Sequence, residues 1–315
     1  MTLKWKFSLL AAASAACALL FIFWNVIGSW DYVVPRRSLK IAAIILTGGA
    51  IAFSTVVFQT LTNNRILTPS IIGLDSLYML IQTGIIFLYG SASINMLNKN
   101  INFFVSAVCM ILFAGLLYRF LFRREGQSIY FLLLVGIILG TFFGSVTTFM
   151  QVLLDPNEFA IVQDRMFASF NNVNTDLLVL SVIVVALVSL YSLRFTKYLD
   201  VLSLGREHAV NLGVNYDHVV KRLLMVVAVL ISVATALVGP ITFLGLLVAN
   251  VAYQFFGTYR HSVLIPGSML ISIIALTGGQ FIVERIFTFS TTLSVIINFV
   301  GGVYFIYLLL RENKS

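Results

Sequence analysis

Residues 197–222, KYLDVLSLGREHAVNLGVNYDHVVKR, form a compact polar stretch between two long apolar runs. They hold two of the chain's three histidines, His208 and His218. Side chains of these types make charge and hydrogen-bond contacts with a partner in water. They do not compose a reaction centre. No His, Cys and Glu cluster has metal-ligand spacing, and no serine or cysteine sits in a catalytic setting. No G-x-x-x-x-G-K-[ST] occurs, so the chain has no nucleotide-binding loop of its own. The expectation is therefore a chain without catalytic residues, without a bound metal and without a cofactor.

The elements that position this segment must be membrane helices. The chain is 60% hydrophobic and 10% charged over 315 residues, with mean hydropathy +1.01. A soluble domain carries about 25% charged residues. Polar surface is too scarce to cover a water-soluble globule, so lipid is the solvent for most of the chain. In lipid the backbone must bond internally, which leaves helices or closed barrels. The apolar runs last about 20 residues and do not alternate, which selects helices. We expect an all-α integral membrane protein, a single domain over 1–315, with about ten transmembrane helices. The spans are 7–28, 40–62, 71–90, 101–121, 129–153, 176–195, 221–239, 242–256, 263–283 and 292–311. Lys4 and Lys6 precede an apolar stretch from Phe7 to about Ile27. It is too long for a cleaved signal and is read as an uncleaved first helix. Cys17 and Cys109 both fall inside apolar runs, where they act as small hydrophobes.

Charge fixes the orientation. With the N-terminus inside, the outer face receives Arg36, Arg37, Lys40, Lys99, Arg165 and Arg285. The rest of the 20 Lys and Arg fall inside, which satisfies the positive-inside rule without forcing a segment. The net charge of +8 is then a topology signal and not a nucleic-acid footprint. The same bias places 197–222 and both termini in the cytoplasm. The outer loop 154–175 is expected to carry a short interfacial helix. Only Asp75 approaches a helix interior as a charge. An ion-driven carrier buries several such groups, so a self-sufficient carrier is disfavoured. A membrane enzyme has no nucleophile or metal cluster to support it. TPSIIGL (68–74) and GPITFLGL (239–246) echo each other, as halves of a repeat-built transporter would.

Within 197–222, Val201, Leu204, Ala209 and Leu212 are expected to share one face of short helices, with Arg206 and Glu207 turned away. Gly213 suits a helix C-cap and Asn215 the N-cap of the next span. The segment reads as a helix-turn-helix shaped for docking.

Four stretches carry a resemblance: LSLGREHAVNLGV (202–214), VPRRSLKIAAIILTGGAIAFSTVVFQTLTNN (34–64), TPSIIGLDS (68–76) and VGPITFLGLLVANVAYQFFGTYRH (238–261). In this order they resemble the FecCD-type permeases of ABC importers for iron-siderophore and vitamin B12. The sequence departs from that pattern at Ala249-Asn250, where the family often has Pro-His, and at Val33, where it often has arginine. The resemblance implies a type II ABC importer permease fold in a bacterial plasma membrane. It implies a second permease subunit, identical or paralogous, two cytoplasmic ATPase subunits that bind ATP and Mg, and an extracytoplasmic binding protein. The implied substrate is an iron(III)-siderophore, with vitamin B12 or haem as the alternative. Residue roles follow by position. Leu204, Gly205, Arg206, Glu207, Ala209, Leu212 and Gly213 would contact the ATPase. Arg36 and Arg285 would pair with carboxylates of the binding protein, with Arg37 reinforcing Arg36 and Glu284 compensating part of Arg285. Asn64, Ile66, Gln127 and Ser128 would narrow the cytoplasmic exit.

Overall fold

The computed structural model describes residues 2–26, 28–96, 99–121, 129–171, 173–289 and 291–312. These form twelve α-helices: α1 (Leu3–Phe23), α2 (Trp30–Thr62), α3 (Leu74–Met96), α4 (Lys99–Leu121), α5 (Ile129–Val152), α6 (Pro156–Arg165), α7 (Thr175–Leu202), α8 (Arg206–Asn211), α9 (Tyr216–Val238), α10 (Leu244–Phe256), α11 (His261–Arg285) and α12 (Leu293–Glu312). No strand occurs among the described residues. Seven helices are long and apolar enough to cross a bilayer, and Leu74–Gly90, Leu244–Phe256 and Leu293–Tyr307 are shorter apolar helices. These ten match the ten expected spans in order. α6 is the short helix expected in 154–175.

Burial divides the helices into a hub and a rim. The apolar window of α2 is 83% buried and that of α9 is 72% buried. The windows of α1, α5 and α7 are buried by only 17%, 22% and 22%. The rim keeps large apolar side chains such as Leu112, Leu116 and Phe120 exposed. That surface would aggregate in water and is stable against hydrocarbon. The hub is built from small and hydroxyl-bearing residues. In α2 these include Thr47, Ser54, Thr55 and Thr60, all buried. Without a hydrophobic force between helices in lipid, the close backbone approach that small side chains permit holds the bundle. Gly245 of α10 is one such approach: a Cβ there would overlap Thr55 Oγ1 of α2.

Two helices begin inside the bundle. TPSIIGL forms a 3-10 turn, Pro69–Ile72, and then starts α3. GPITFLGL ends α9 and starts α10. Thr68 and Ser70 from the first motif, Asp75 just after it, and Thr242 and Gly245 from the second line one cavity of about 10 Å³, with Thr55 and Thr235. The echo in the sequence is thus a meeting point in space. Irregular backbone at this depth needs protein cover, and the hub helices α2 and α9 provide it. Asp75 lies in the first turn of α3, where the helix dipole favours a carboxylate.

Candidate coupling turn and the two ends of the bundle

The polar segment is shorter in three dimensions than in the sequence. α7 continues to Leu202 and α9 starts at Tyr216. Charged residues at 197–202 and 216–222 are therefore ends of long helices, and the turn proper is 203–215. The turn opens at Gly205, whose φ of 95° is left-handed territory. α8 then makes under two turns and closes in a Schellman motif. Val214 N–H donates to Ala209 O at 3.0 Å and Gly213 N–H to Val210 O at 2.9 Å. Gly213 holds φ 81°, the left-handed C′ position that favours glycine. Asn215 Oδ1 accepts from His218 N–H at 3.2 Å and caps α9. Both cap assignments read from the sequence are found.

The expected apolar face is corrected in one respect. Ala209 is fully buried and Val201 half-buried, so they root the turn in the bundle. The outward apolar side chains are Leu204, Val210 and Leu212, exposed by 57%, 49% and 64%. The reason is the tightness of the turn. Its inner side has room for a methyl group, and the larger side chains must point out. Arg206 is turned aside as expected, 3.5 Å from Asp217 and over the Tyr216 ring at 5.7 Å. Glu207 is exposed.

At the same end of the bundle, Asn64 and Ile66 lie in the loop after α2. Asn64 Oδ1 accepts from Ile66 N–H at 2.8 Å. The loop is anchored through Arg65 O, which accepts from Gln59 Nε2 at 2.5 Å and Asn250 Nδ2 at 3.0 Å. Asn250, where the family often has histidine, therefore holds the loop while α10 runs on unbroken. The Arg65 guanidinium stands over the rings of Tyr253 (4.7 Å) and Tyr259 (5.1 Å). Lys6 Nζ caps α10 by donating to Phe255 O at 2.5 Å. Gln127 and Ser128 lie outside the described residues.

The opposite end carries a cluster of charge. Arg36 is exposed and stands over the Tyr32 ring at 4.5 Å. It borders an open cleft of about 780 Å³ shared with Arg37, Lys40, Asn171, Asn174 and Glu284. Two expected partnerships differ here. Arg37 does not simply reinforce Arg36. It donates to the carbonyls of Ile22 (2.9 Å) and Trp24 (2.8 Å) at the end of α1. Glu284 pairs with Lys40 at 2.7 Å instead of with its neighbour Arg285. Arg285 reaches the Trp24 and Asn25 carbonyls at 3.2 and 3.4 Å. The physical reason is α1's last turn, whose orphan carbonyls attract the nearest cations.

Two features escaped the sequence. The third histidine, His261, is buried between Thr60 and Asp200. On rim helix α5, Thr141, Ser145 and Thr148 are exposed, each hydroxyl bonded to the carbonyl four residues earlier. Hydroxyls at i, i+4 and i+7 in an apolar run lie on one helix face, and that spacing is the signal for them. Among the described residues, no three His, Cys, Asp or Glu side chains converge to hold a metal ion.

Residues 4–311 match the FecCD transport family. The chain belongs to this family. The petrobactin import system permease protein YclO of Bacillus subtilis (strain 168) is 67% identical over 310 residues, 98% of each chain. The petrobactin import system permease protein FatC of Bacillus anthracis is 38% identical, over 89% of this chain and 79% of that one. A metal-chelate type ABC transporter solved in an inward-facing conformation superposes with a TM-score of 0.85 at 20% identity, over 98% of this chain and 99% of that one. That likeness shows a shared fold: an all-helical chain with several helices long enough to span a membrane.

Proposed function

We propose that this chain is the membrane-spanning permease subunit of a bacterial ABC importer for an iron(III)-siderophore of the petrobactin class, seated in the plasma membrane. The observation that carries the importer reading is the turn at 203–215. It is a turn around the short helix α8, closed by Gly213 and Asn215, that presents Leu204, Val210 and Leu212 to water, in a chain with no nucleotide-binding loop. An exposed apolar patch rimmed by charge is a protein-docking feature. An ATPase subunit that binds ATP and Mg docks there and supplies the energy this chain lacks. The α8 end is then cytoplasmic, with both termini on that side, and Arg36 and Arg285 face outward toward a substrate-loaded binding protein. Two permease copies, identical or paralogous, close the pathway between them. The exposed face of α5 that carries Thr141, Ser145 and Thr148 supports a path at that interface, because these hydroxyl oxygens keep acceptor capacity for water. Asn64 and Ile66, with Gln127 and Ser128, narrow its cytoplasmic exit.

The petrobactin class rests on the 67% and 38% identical relatives. A vitamin B12 permease of Vibrio cholerae is only 28% identical, so a corrinoid substrate has less support. Uptake of iron-55 as ferric petrobactin in a deletion strain tests the substrate. Uptake should vanish and return with the cloned gene, while uptake of a ferric hydroxamate stays unchanged. Equal loss of both, or of neither, rejects the assignment.

A further inference from the structure

His261 joins three helices through one ring. It is the first residue of α11 and is 2% exposed. Its Nε2 lies 2.6 Å from Thr60 Oγ1 in the last turn of α2. Its Nδ1 lies 2.6 Å from Asp200 Oδ1 in the last turn of α7. Its backbone N–H donates to the same carboxylate oxygen at 2.9 Å. Arg260, at the N-cap of α11, provides no side-chain cap. Asp200 therefore caps α11 from another helix, satisfying a donor that would otherwise be left open.

The position of this latch matters. Asp200 stands two residues before Leu202, the end of α7, and α8 starts at Arg206. The latch sits at the root of the docking turn. Beyond it, α2 and α11 pack along their length and are clasped again at the far end by the Lys40–Glu284 pair at 2.7 Å. Fixed at both ends, the two helices move as one strut. The far end of that strut borders the cleft at Arg36.

We infer that His261 is a positioning residue that passes displacement of the 203–215 turn through Asp200 to the α2–α11 strut. A ring held at both nitrogens cannot swing without breaking a bond, so motion of α7's last turn is delivered to α2 and α11 together. The loss of one charge-assisted bond weakens such a link about tenfold.

This inference rests on the importer reading, and the two fail differently. The test uses the complete transporter, permeases with ATPases, in liposomes with binding protein and ferric petrobactin. If the wild type shows no ATP-driven uptake, the importer reading fails. If it does, His261→Ala should keep basal ATP hydrolysis while uptake per ATP falls about tenfold. Thr60→Val and Asp200→Asn keep side-chain shape and should show the same split. Combining Thr60→Val with His261→Ala should add little further loss, because both break one link. His261→Asn, which keeps a donor toward Asp200, should restore part of the coupling. A structural role alone would lower assembly, hydrolysis and uptake in proportion. If His261→Ala does not assemble, the two shape-conserving variants carry the test. Unchanged uptake per ATP in assembled variants overturns the inference.

Discussion

At the scale of single residues, Arg36 and Arg285, at the end of the bundle opposite α8, differ in their contacts. Arg36 is exposed and rests on Tyr32, with its charge directed at an open cleft. Arg285 is engaged with the carbonyls of Trp24 and Asn25. Exposed ion pairs are worth about 0–1 kcal/mol, so charge acts here mainly on the rate and register of encounter. Arg36→Glu should slow association of the loaded binding protein about fivefold at low salt, less at high salt because of screening. Charge reversal on the binding protein should restore it. Arg285→Glu should instead loosen α1, lowering the thermal midpoint in detergent with a smaller effect on the on-rate. Stopped-flow association and thermal denaturation separate the two. If neither reversal changes the low-salt on-rate, the docking site lies elsewhere. The sequence made these arginines visible, because charge between apolar runs stands out. It hid their partners, because the carbonyls that Arg285 uses lie about 260 residues away in the chain. His261 was hidden for the same reason: Thr60 and Asp200 come from two other helices.

At the scale of elements, the turn at 203–215, proposed as the docking element, was the most legible part of the candidate site. Its caps are written locally: Gly213 must hold a left-handed φ, and Asn215 must bond three residues ahead. Local chemistry of this kind survives folding unchanged. Its boundaries and its apolar face were less legible. α7 and α9 extend into water beyond their apolar runs, and burial of Ala209 depends on what lies beneath it. Gly213→Pro removes the N–H bonded to Val210 O and fixes φ on the wrong side. Substrate-stimulated ATP hydrolysis should fall by about tenfold while the permease still assembles. Leu212→Asp should do the same without touching the backbone, by placing a charge in the docking patch. Normal stimulation in both variants would remove 203–215 as the docking element.

At the scale of the whole molecule, hydropathy alone placed ten spans in order, because bilayer thickness sets helix length. It could not tell hub from rim. α2 and α5 are similarly apolar, at mean hydropathy 2.2 and 2.3, yet 83% and 22% buried. The difference lies in the neighbours: α2 packs against α7, α9, α10 and α11, whereas α5 packs chiefly against α3. The charge distribution predicts the orientation, and labelling tests it. A single cysteine at Glu207 should react with an impermeant maleimide in inside-out vesicles and stay unreactive in intact cells. Labelling from outside inverts the topology. Native Cys109 is exposed on α4 and Cys17 is partly buried, so both need replacement first.

α1 packs along α11 and is also tied at its two ends. Lys6 holds the end of α10, while Arg37 and Arg285 together hold α1's own last carbonyls. Its apolar window is only 17% buried. Covalent continuity with α2 contributes little that these clips do not already provide. We predict that the permease is separable into a one-helix piece and a nine-span piece. Expressed as two polypeptides divided between Asn25 and Ser29, the pieces should find each other in the membrane and support uptake. Replacing Arg37 and Arg285 together with glutamine should abolish that complementation while leaving the undivided chain active. The first helix then behaves as a docked subunit that shares a gene with its host.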